Sequence, residues 1–283
     1  MDILNDTPGT PGEQKYTGTR ICTYNIMHGG GSRLALALKC MSIMNIDFGI
    51  FTETKFDNDM YTKQAYGYEV IATEAKHNNQ GGVALFYRKS QHYVFEGLKK
   101  YGPNVIRVIL VSGRRKWLII GCYIPPSEED GETLDYIQDS TRDSHKFNNI
   151  IMLGDLNVDF RKPLTRAIPR QEETAAVVSS LGLGNLQDHF HNRRDRTYTW
   201  KQVRGNLVIR STLDYILTTN RFDFTNFQIT ATSHYDSYHK VVIATIFLQS
   251  KKQHKHYIRQ RAKYPIPFFK MMAILRIYYS KKY

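Results

Sequence analysis

Short apolar runs, rich in β-branched and aromatic residues, succeed one another from Arg20 to Leu248, each cut off by Gly, Pro or polar residues. Runs of this length form strands, and a chain with many of them has to bury them in packed sheets. The pattern predicts strands over 20–26, 48–54, 82–88, 105–111, 116–124, 149–153, 197–203, 213–218, 224–231 and 240–248. Helical spacing predicts a helix over 33–44, where Leu34, Leu38 and Met41 share a face and Ser32 serves as N-cap. Two more helices are expected over 132–147 and 171–181, the second stopped by Gly182. The strands continue to the end of this stretch instead of alternating strictly with helices. The expected class is therefore α/β, with two packed, mostly antiparallel β-sheets flanked by helices.

The 283 residues suffice for one large domain, and 41% hydrophobic with 23% charged residues is the makeup of a globular protein. No apolar run reaches the ~18–20 residues of a membrane span. Residues 1–19 are polar and rich in Gly, Pro and Thr, without the apolar centre of a secretion signal. A flexible leader and a protein that is not secreted are the expectation. Cys22, Cys40 and Cys122 lie apart in apolar stretches, without zinc spacing, and read as buried thiols.

The formal charge of +13 points to a polyanionic partner, but it is unevenly spread. Residues 251–283 carry ten Lys or Arg and no Asp or Glu, which leaves the rest at only +3. A boundary near Ser250 thus separates one domain, 20–249, from a basic C-terminal extension, 250–283, suited to phosphate contacts.

Several polar residues stand just past the apolar runs, where a sheet edge can present them together. They are Asn25, Glu53, Tyr123, Asp155, Asn157, Asp214 and His239. Carboxylates are costly beside such runs unless they are paired or hold a cation. Oxygen donors with one His and no Cys suit Mg²⁺ or Mn²⁺ better than zinc. Singly, each has an ordinary reading: Asn25 and Asn157 as turn residues, Glu53 paired with Lys55 at the surface, Tyr123 as packing, Asp214 as a loop cap, and His239 as structural.

Jointly, the strings resemble the endonuclease/exonuclease/phosphatase superfamily, which includes apurinic endonucleases, DNase I and the endonucleases of non-LTR retrotransposons. Thr23-Tyr24-Asn25-Ile26 resembles its first motif, and Thr52-Glu53-Thr54-Lys55 its metal-binding Glu motif. Gly81-Gly82-Val83-Ala84-Leu85 is similar to the following strand, and Tyr123-Ile124-Pro125 to the phosphate-contacting Tyr segment. Gly154-Asp155-Leu156-Asn157-Val158 is the most specific string. Tyr198-Thr199-Trp200, Leu213-Asp214-Tyr215-Ile216-Leu217 and His239-Lys240-Val241-Val242 follow in family order. The retrotransposon kind is the nearest in flavour.

The resemblance implies a four-layer, DNase I-like α/β sandwich and a Mg²⁺- or Mn²⁺-dependent phosphodiesterase acting on DNA, nuclear or cytoplasmic in location. Other esterases on this fold, such as lipid or inositol phosphatases and RNA nucleases, and a metal-impaired nucleic-acid-binding relic, are the alternatives. Glu53 would hold the metal with Asn25 beside it. Asp155 would orient or deprotonate the water, Asn157 would fix Asp155 and the phosphate, and Asp214 would hold His239 in its tautomer. His239 and Tyr123 would contact the phosphate. Arg196 and Trp200, with Arg193, Arg194 and Tyr198, would contact the substrate through charge and stacking. The chain departs from the family pattern twice. Tyr238 stands where a metal-site Asp precedes the final His, with Asp236 two residues earlier, and Met27 stands where nucleases often carry a polar residue.

Overall fold

The structure is a computed structural model and describes residues 18–30, 32–76, 81–90, 92–126, 131–161, 169–191 and 197–248. The basic extension and nearly all of the expected leader lie outside the described residues.

The first half of the chain runs β1 (Thr19–Asn25), α1 (Ser32–Ile43), β2 (Phe48–Thr52), β3 (Met60–Ala65), β4 (Tyr68–Ala72) and β5 (Val83–Tyr87). Then follow β6 (Val94–Tyr101), β7 (Val105–Ser112), β8 (Arg115–Tyr123), α2 (Glu132–Thr141) and β9 (Asn149–Asp155). The chain continues through α3 (Pro169–Ser180), β10 (Gly184–Asn185), α4 (Leu186–Phe190), β11 (Trp200–Arg204), β12 (Leu207–Ser211), β13 (Asp214–Thr218), β14 (Phe224–Thr230) and β15 (Val241–Ile246).

Two sheets carry most of these strands. One has seven, ordered β14-β15-β1-β2-β5-β4-β3, and the other six, ordered β10-β13-β9-β8-β7-β6. Pairing is antiparallel except for β1 with β2 and β8 with β9. A parallel pair needs a crossover, and α1 and α2 supply it. The sequence thus foretold the sheet type and the two sheets.

Three apolar clusters make the layers. Between the sheets lie Ile21, Phe48, Ile50, Val108, Trp117, Ile119, Leu153 and Ile216. Outside the first sheet, Cys22, Tyr24, Phe51 and Phe86 pack with Leu38 and Met41 of α1. Outside the second, Leu118, Ile120 and Met152 pack with Leu134 and Ile137 of α2 and Val177 of α3. Neighbours along β1 and β2 therefore enter different clusters, as side-chain alternation requires. Burial on both faces explains why these runs are apolar throughout instead of alternating. Each fully buried Leu, Ile or Phe contributes about 1.5–3 kcal/mol. All three cysteines are free and buried, as expected.

The differences from the sequence reading have local causes. β3, β4, β6, β12, the two-residue β10 and the short α4 were not foreseen. β6 is a mostly exposed edge strand with a register shift between Glu96 and Lys99, so its Val94-Phe95-Glu96-Gly97 start carries no clean alternation. The helix expected over 132–147 ends at Thr141. There the Ser140 and Thr141 hydroxyls donate to the Ile137 and Gln138 carbonyls, competing with helix continuation. β2 stops at Thr52, two residues early, because Glu53 and Lys55 turn to positive φ.

Candidate active site

Strand register puts the expected site residues at one edge. Asn25 pairs with Thr52 at the ends of β1 and β2, and Tyr123 pairs with Asp155 at the ends of β8 and β9. Asp214 opens β13 directly opposite Asp155. His239 lies just before β15, bridged to Trp200 of β11. The carboxyl ends of both parallel pairs therefore face the same side, and side chains of the two sheets meet across the seam.

They meet through hydrogen bonds. The Asn25 side-chain amide donates to Glu53 Oε1 and to Asp155 Oδ2, each at 2.8 Å, and its oxygen accepts the Met27 N–H. The Tyr123 hydroxyl donates to the same Glu53 Oε1 at 3.1 Å. The Asn157 N–H donates to Asp155 Oδ1 at 2.9 Å, while its side-chain amide holds the Ile124 carbonyl. His239 Nδ1 lies 2.9 Å from Asp214 Oδ2 and 3.9 Å from Asp155 Oδ2. Asn25, Asp155, Asp214, Tyr123 and His239 are all buried.

The backbone at this edge is strained. Met27, Glu53, Lys55 and Asn157 all have φ near +50°, a conformation L side chains rarely adopt. Such residues persist where surrounding contacts over-determine them, and they cluster at functional sites.

Charge and burial set the proton affinities. Burial, then the neighbouring Asp214 charge, pushes the Asp155 carboxyl up to about 7, against the opposing pull of His239 and its donors. Burial alone would lower His239, but the charge and hydrogen bond of Asp214 override it and raise the imidazole to about 9. Burial, then the Glu53 and Asp155 charges, raises the Tyr123 hydroxyl, so it remains a proton donor.

Residues that the sequence reading did not single out complete the frame. Ser237 Oγ donates to the Asn25 carbonyl and accepts the His239 N–H, tying the last motif to the first. Thr199 Oγ1 accepts the N–H groups of Leu213 and Asp214. Arg170 of α3 binds the carbonyls of Pro125, Pro126 and Asn157, clamping the loops after β8 and β9. Thr199 sits inside a recognised string and Ser237 lies two residues before one, whereas Arg170 carries no motif signal. Lys55 pairs with Glu53 Oε2 at 3.2 Å, but both side chains are largely withdrawn from solvent, at 18% and 20% exposure. The pair is real and is not the surface pair expected.

Asp155, Asp214 and His239 offer ligand atoms within 4.8 Å of one another. Within this cluster, Nδ1 of His239 is already engaged by Asp214 Oδ2 at 2.9 Å. A further oxygen donor for a hard cation is Glu53, whose Oε1 accepts from the Asn25 amide and whose Oε2 pairs with Lys55. The donor set fits Mg²⁺ or Mn²⁺ with few protein ligands, because Met27 offers no side-chain oxygen and Tyr238 is exposed. Asp236 is exposed too, and among the described residues no ion pair joins it to the cluster.

Beside His239, β11 and β12 form a hairpin of their own. Trp200 is half-buried at its base, and Val203, Leu207 and Val208 are exposed towards its tip. The Tyr198 ring lies 3.6 Å from Lys240 Nζ and 5.2 Å from the Arg210 guanidinium. Arg193, Arg194 and Arg196 lie outside the described residues. Among the described residues no helix is long and apolar enough to cross a membrane.

No protein-family model matches the sequence, and no curated protein matches it. Solved structures do. The endonuclease domain of TRAS1, a telomere-specific non-LTR retrotransposon, is similar with a TM-score of 0.61 at 16% identity, over 82% of this chain and 100% of that one. An endonuclease/exonuclease/phosphatase family protein from Leptotrichia buccalis gives 0.58 at 14% identity, over 81% and 99%. One from Bacteroides thetaiotaomicron gives 0.57 at 15% identity, over 82% and 99%. With helices outside two packed sheets and the polar strand ends gathered on one edge, the chain has the DNase I-like sandwich fold of the endonuclease/exonuclease/phosphatase superfamily.

Proposed function

We propose that this chain is a divalent-metal-dependent phosphodiesterase that cleaves DNA internally, as a retrotransposon-type endonuclease does. The observation that carries the reading is the unbroken hydrogen-bonded path Tyr123–Glu53–Asn25–Asp155, with the Asp214–His239 pair beside it. Phosphodiester hydrolysis needs an activated water, charge on the non-bridging oxygens and help for the leaving oxygen.

Each residue has a task that its geometry permits. Asp155, held by Asn25 and the Asn157 N–H, accepts a proton from water, and a carboxyl raised to about 7 suits that at neutral pH. Asp214 occupies Nδ1 of His239, so the protonated ring donates to a phosphate oxygen from Nε2. Tyr123 donates a further hydrogen bond once its hydroxyl leaves Glu53. Asn157 acts by positioning, through its N–H on Asp155 and its amide on Ile124. Mg²⁺ or Mn²⁺ held by Glu53 with Asn25 beside it would supply Lewis-acid charge to the phosphate.

DNA as substrate is favoured by the hairpin beside His239. It carries Trp200, Lys201, Arg204 and Arg210, and with Tyr198 and Lys240 beside it this set suits phosphate contacts and stacking. Arg196 and the basic extension 250–283 would add sequence-independent affinity. The likeness to the TRAS1 endonuclease domain adds support for a nuclease on this fold.

The test is nicking of supercoiled plasmid in Mg²⁺ or Mn²⁺ and in EDTA. Wild type is expected to nick only with metal, and Asp155→Ala and His239→Ala to lose the activity while staying folded. A folded wild type that binds DNA without nicking it in either metal would replace this reading with that of a non-catalytic binder.

A further inference from the structure

Glu53 has two carboxylate oxygens, and both are occupied. Oε1 accepts from the Asn25 amide at 2.8 Å and from the Tyr123 hydroxyl at 3.1 Å. Oε2 lies 3.2 Å from Lys55 Nζ. A cation that binds Glu53 without dismantling the Asn25–Tyr123 network has to take Oε2, and Lys55 is there.

Lys55 does not behave like a surface lysine that happens to reach a carboxylate. Its side chain is 18% exposed, against 57% for Lys76, 76% for Lys89 and 25% for Lys100 in their ion pairs. Its backbone sits at φ +53°, and its N–H donates to the Gly81 carbonyl at 3.1 Å, next to the Thr54 N–H bond to Gly82. A side chain at Gly82 would lie 2.4 Å from Thr54 Oγ1 and 3.0 Å from Lys55 N, so this close backbone approach needs glycine there. Glu53 and Lys55, both left-handed and two residues apart, are thus fixed as a unit. Charge points the same way. Glu53, Asp155 and Asp214 face Lys55 and His239, so the protein already supplies much of the positive charge that these carboxylates require.

We propose that Lys55 is a built-in counter-ion that competes with the divalent metal for Glu53 Oε2. It keeps the carboxylate in place when no metal is bound, and metal binding displaces it. The inference rests on the proposed metal-dependent reading and specifies its regulation: the resting site binds metal weakly because the ammonium has to leave first. Once displaced, the lysine is free to turn to the phosphate of the substrate, so metal and substrate binding favour each other.

The experiment is Mn²⁺ binding to the full chain without nucleic acid, followed by electron paramagnetic resonance of free Mn²⁺ and by calorimetry. Lys55→Met removes the charge and keeps much of the side-chain bulk; Lys55→Gln is a second neutral variant in case the first folds poorly. Both are expected to bind Mn²⁺ about tenfold more tightly than wild type, the factor that corresponds to about 1.4 kcal/mol of lost competition. Lys55→Arg keeps the charge and is expected to stay near the wild-type affinity. Glu53→Gln added to Lys55→Met is expected to abolish the gain. Equal or weaker binding in folded Lys55→Met and Lys55→Gln would overturn this inference and leave the metal-dependent reading standing. Absence of binding in wild type and every folded variant would overturn both.

Discussion

Gly154 is the residue on which the Asp155 position most directly depends, and Gly154→Ala tests how. A Cβ built at Gly154 falls 1.8 Å from the Cys122 carbonyl oxygen, 2.8 Å from its carbon and 3.1 Å from the Cys122 nitrogen. Non-bonded heavy atoms settle nearer about 3.5 Å, so β9 or β8 has to yield by more than about 1 Å. The obstacle is backbone, which cannot rotate away as a side-chain tip does. Gly154 pairs with Cys122 in the parallel ladder, one residue from the Tyr123–Asp155 pair that ends it. Overpacking of this kind costs about 1–3 kcal/mol, and weakened ladder hydrogen bonds add about 1 kcal/mol. At about 3 kcal/mol, a domain of this size loses about 6–12 °C in Tm. A displacement of about 1 Å at a reacting group can also cost about 100-fold in rate. Thermal unfolding followed by circular dichroism, with plasmid nicking at a temperature where the variant stays folded, measures both. Gly182→Ala is the control: φ is +64°, but no atom lies within 4 Å, so only the backbone penalty of about 1–2 kcal/mol applies and nicking is retained. A Gly154→Ala protein that melts with wild type and nicks at the wild-type rate would refute the argument.

Three further outcomes are expected. Asp223 is buried at the opposite ends of the strands, where it accepts from Arg115, Trp117 Nε1 and Asn149; Asp223→Ala is expected to lower stability by about 3–5 kcal/mol in urea titration. Its DNA cleavage below the transition should be unaffected, and an unchanged urea midpoint would sink the assignment. Burial opposes ionisation of Asp159, but Arg161 and the Thr212 N–H outweigh it and hold the carboxyl below its ordinary value. The stability this supplies is present above the unfolded value of about 3.9 and fades as pH falls through the lower folded one. The stability gap between wild type and Asp159→Asn should therefore shrink from pH 7 to strongly acid pH; a constant gap contradicts it. In Asp214→Asn the His239 ring loses its principal stabilising charge, so its proton should leave well below the wild-type value of about 9. Ring proton resonances followed by NMR across pH would show no downward movement if Asp214 were not the cause.

The local levels of this molecule were largely legible in the sequence. Ile21, Cys22 and Tyr24, or Leu118, Ile119 and Ile120, announce strands buried on both faces because burial leaves no polar partner for either face. Asn25, Glu53, Asp155 and His239 were readable as polar ends of such strands, and the register brings all four to one edge. Exposed or irregular strands were not readable: β6 and β12 bury almost none of their side chains fully, and neither alternates cleanly between apolar and polar residues. The absent side-chain oxygen at Met27 and the replacement at Tyr238 were also plain in the sequence. What they leave behind was not.

Only the tertiary structure decided that Ser237 would join Asn25 to His239, that Arg170 would clamp two loops, and that Lys55 would take the one Glu53 oxygen the network leaves. Strand formation follows from periodicity and burial over a few neighbouring residues. The site depends on hydrogen bonds such as Asn25 to Asp155, across 130 positions of chain, and these exist only once both sheets have closed on a common core. Even the Glu53–Lys55 pair, two residues apart, is set by the fold, because two left-handed backbone turns and the Gly81–Gly82 strand end withdraw it from water.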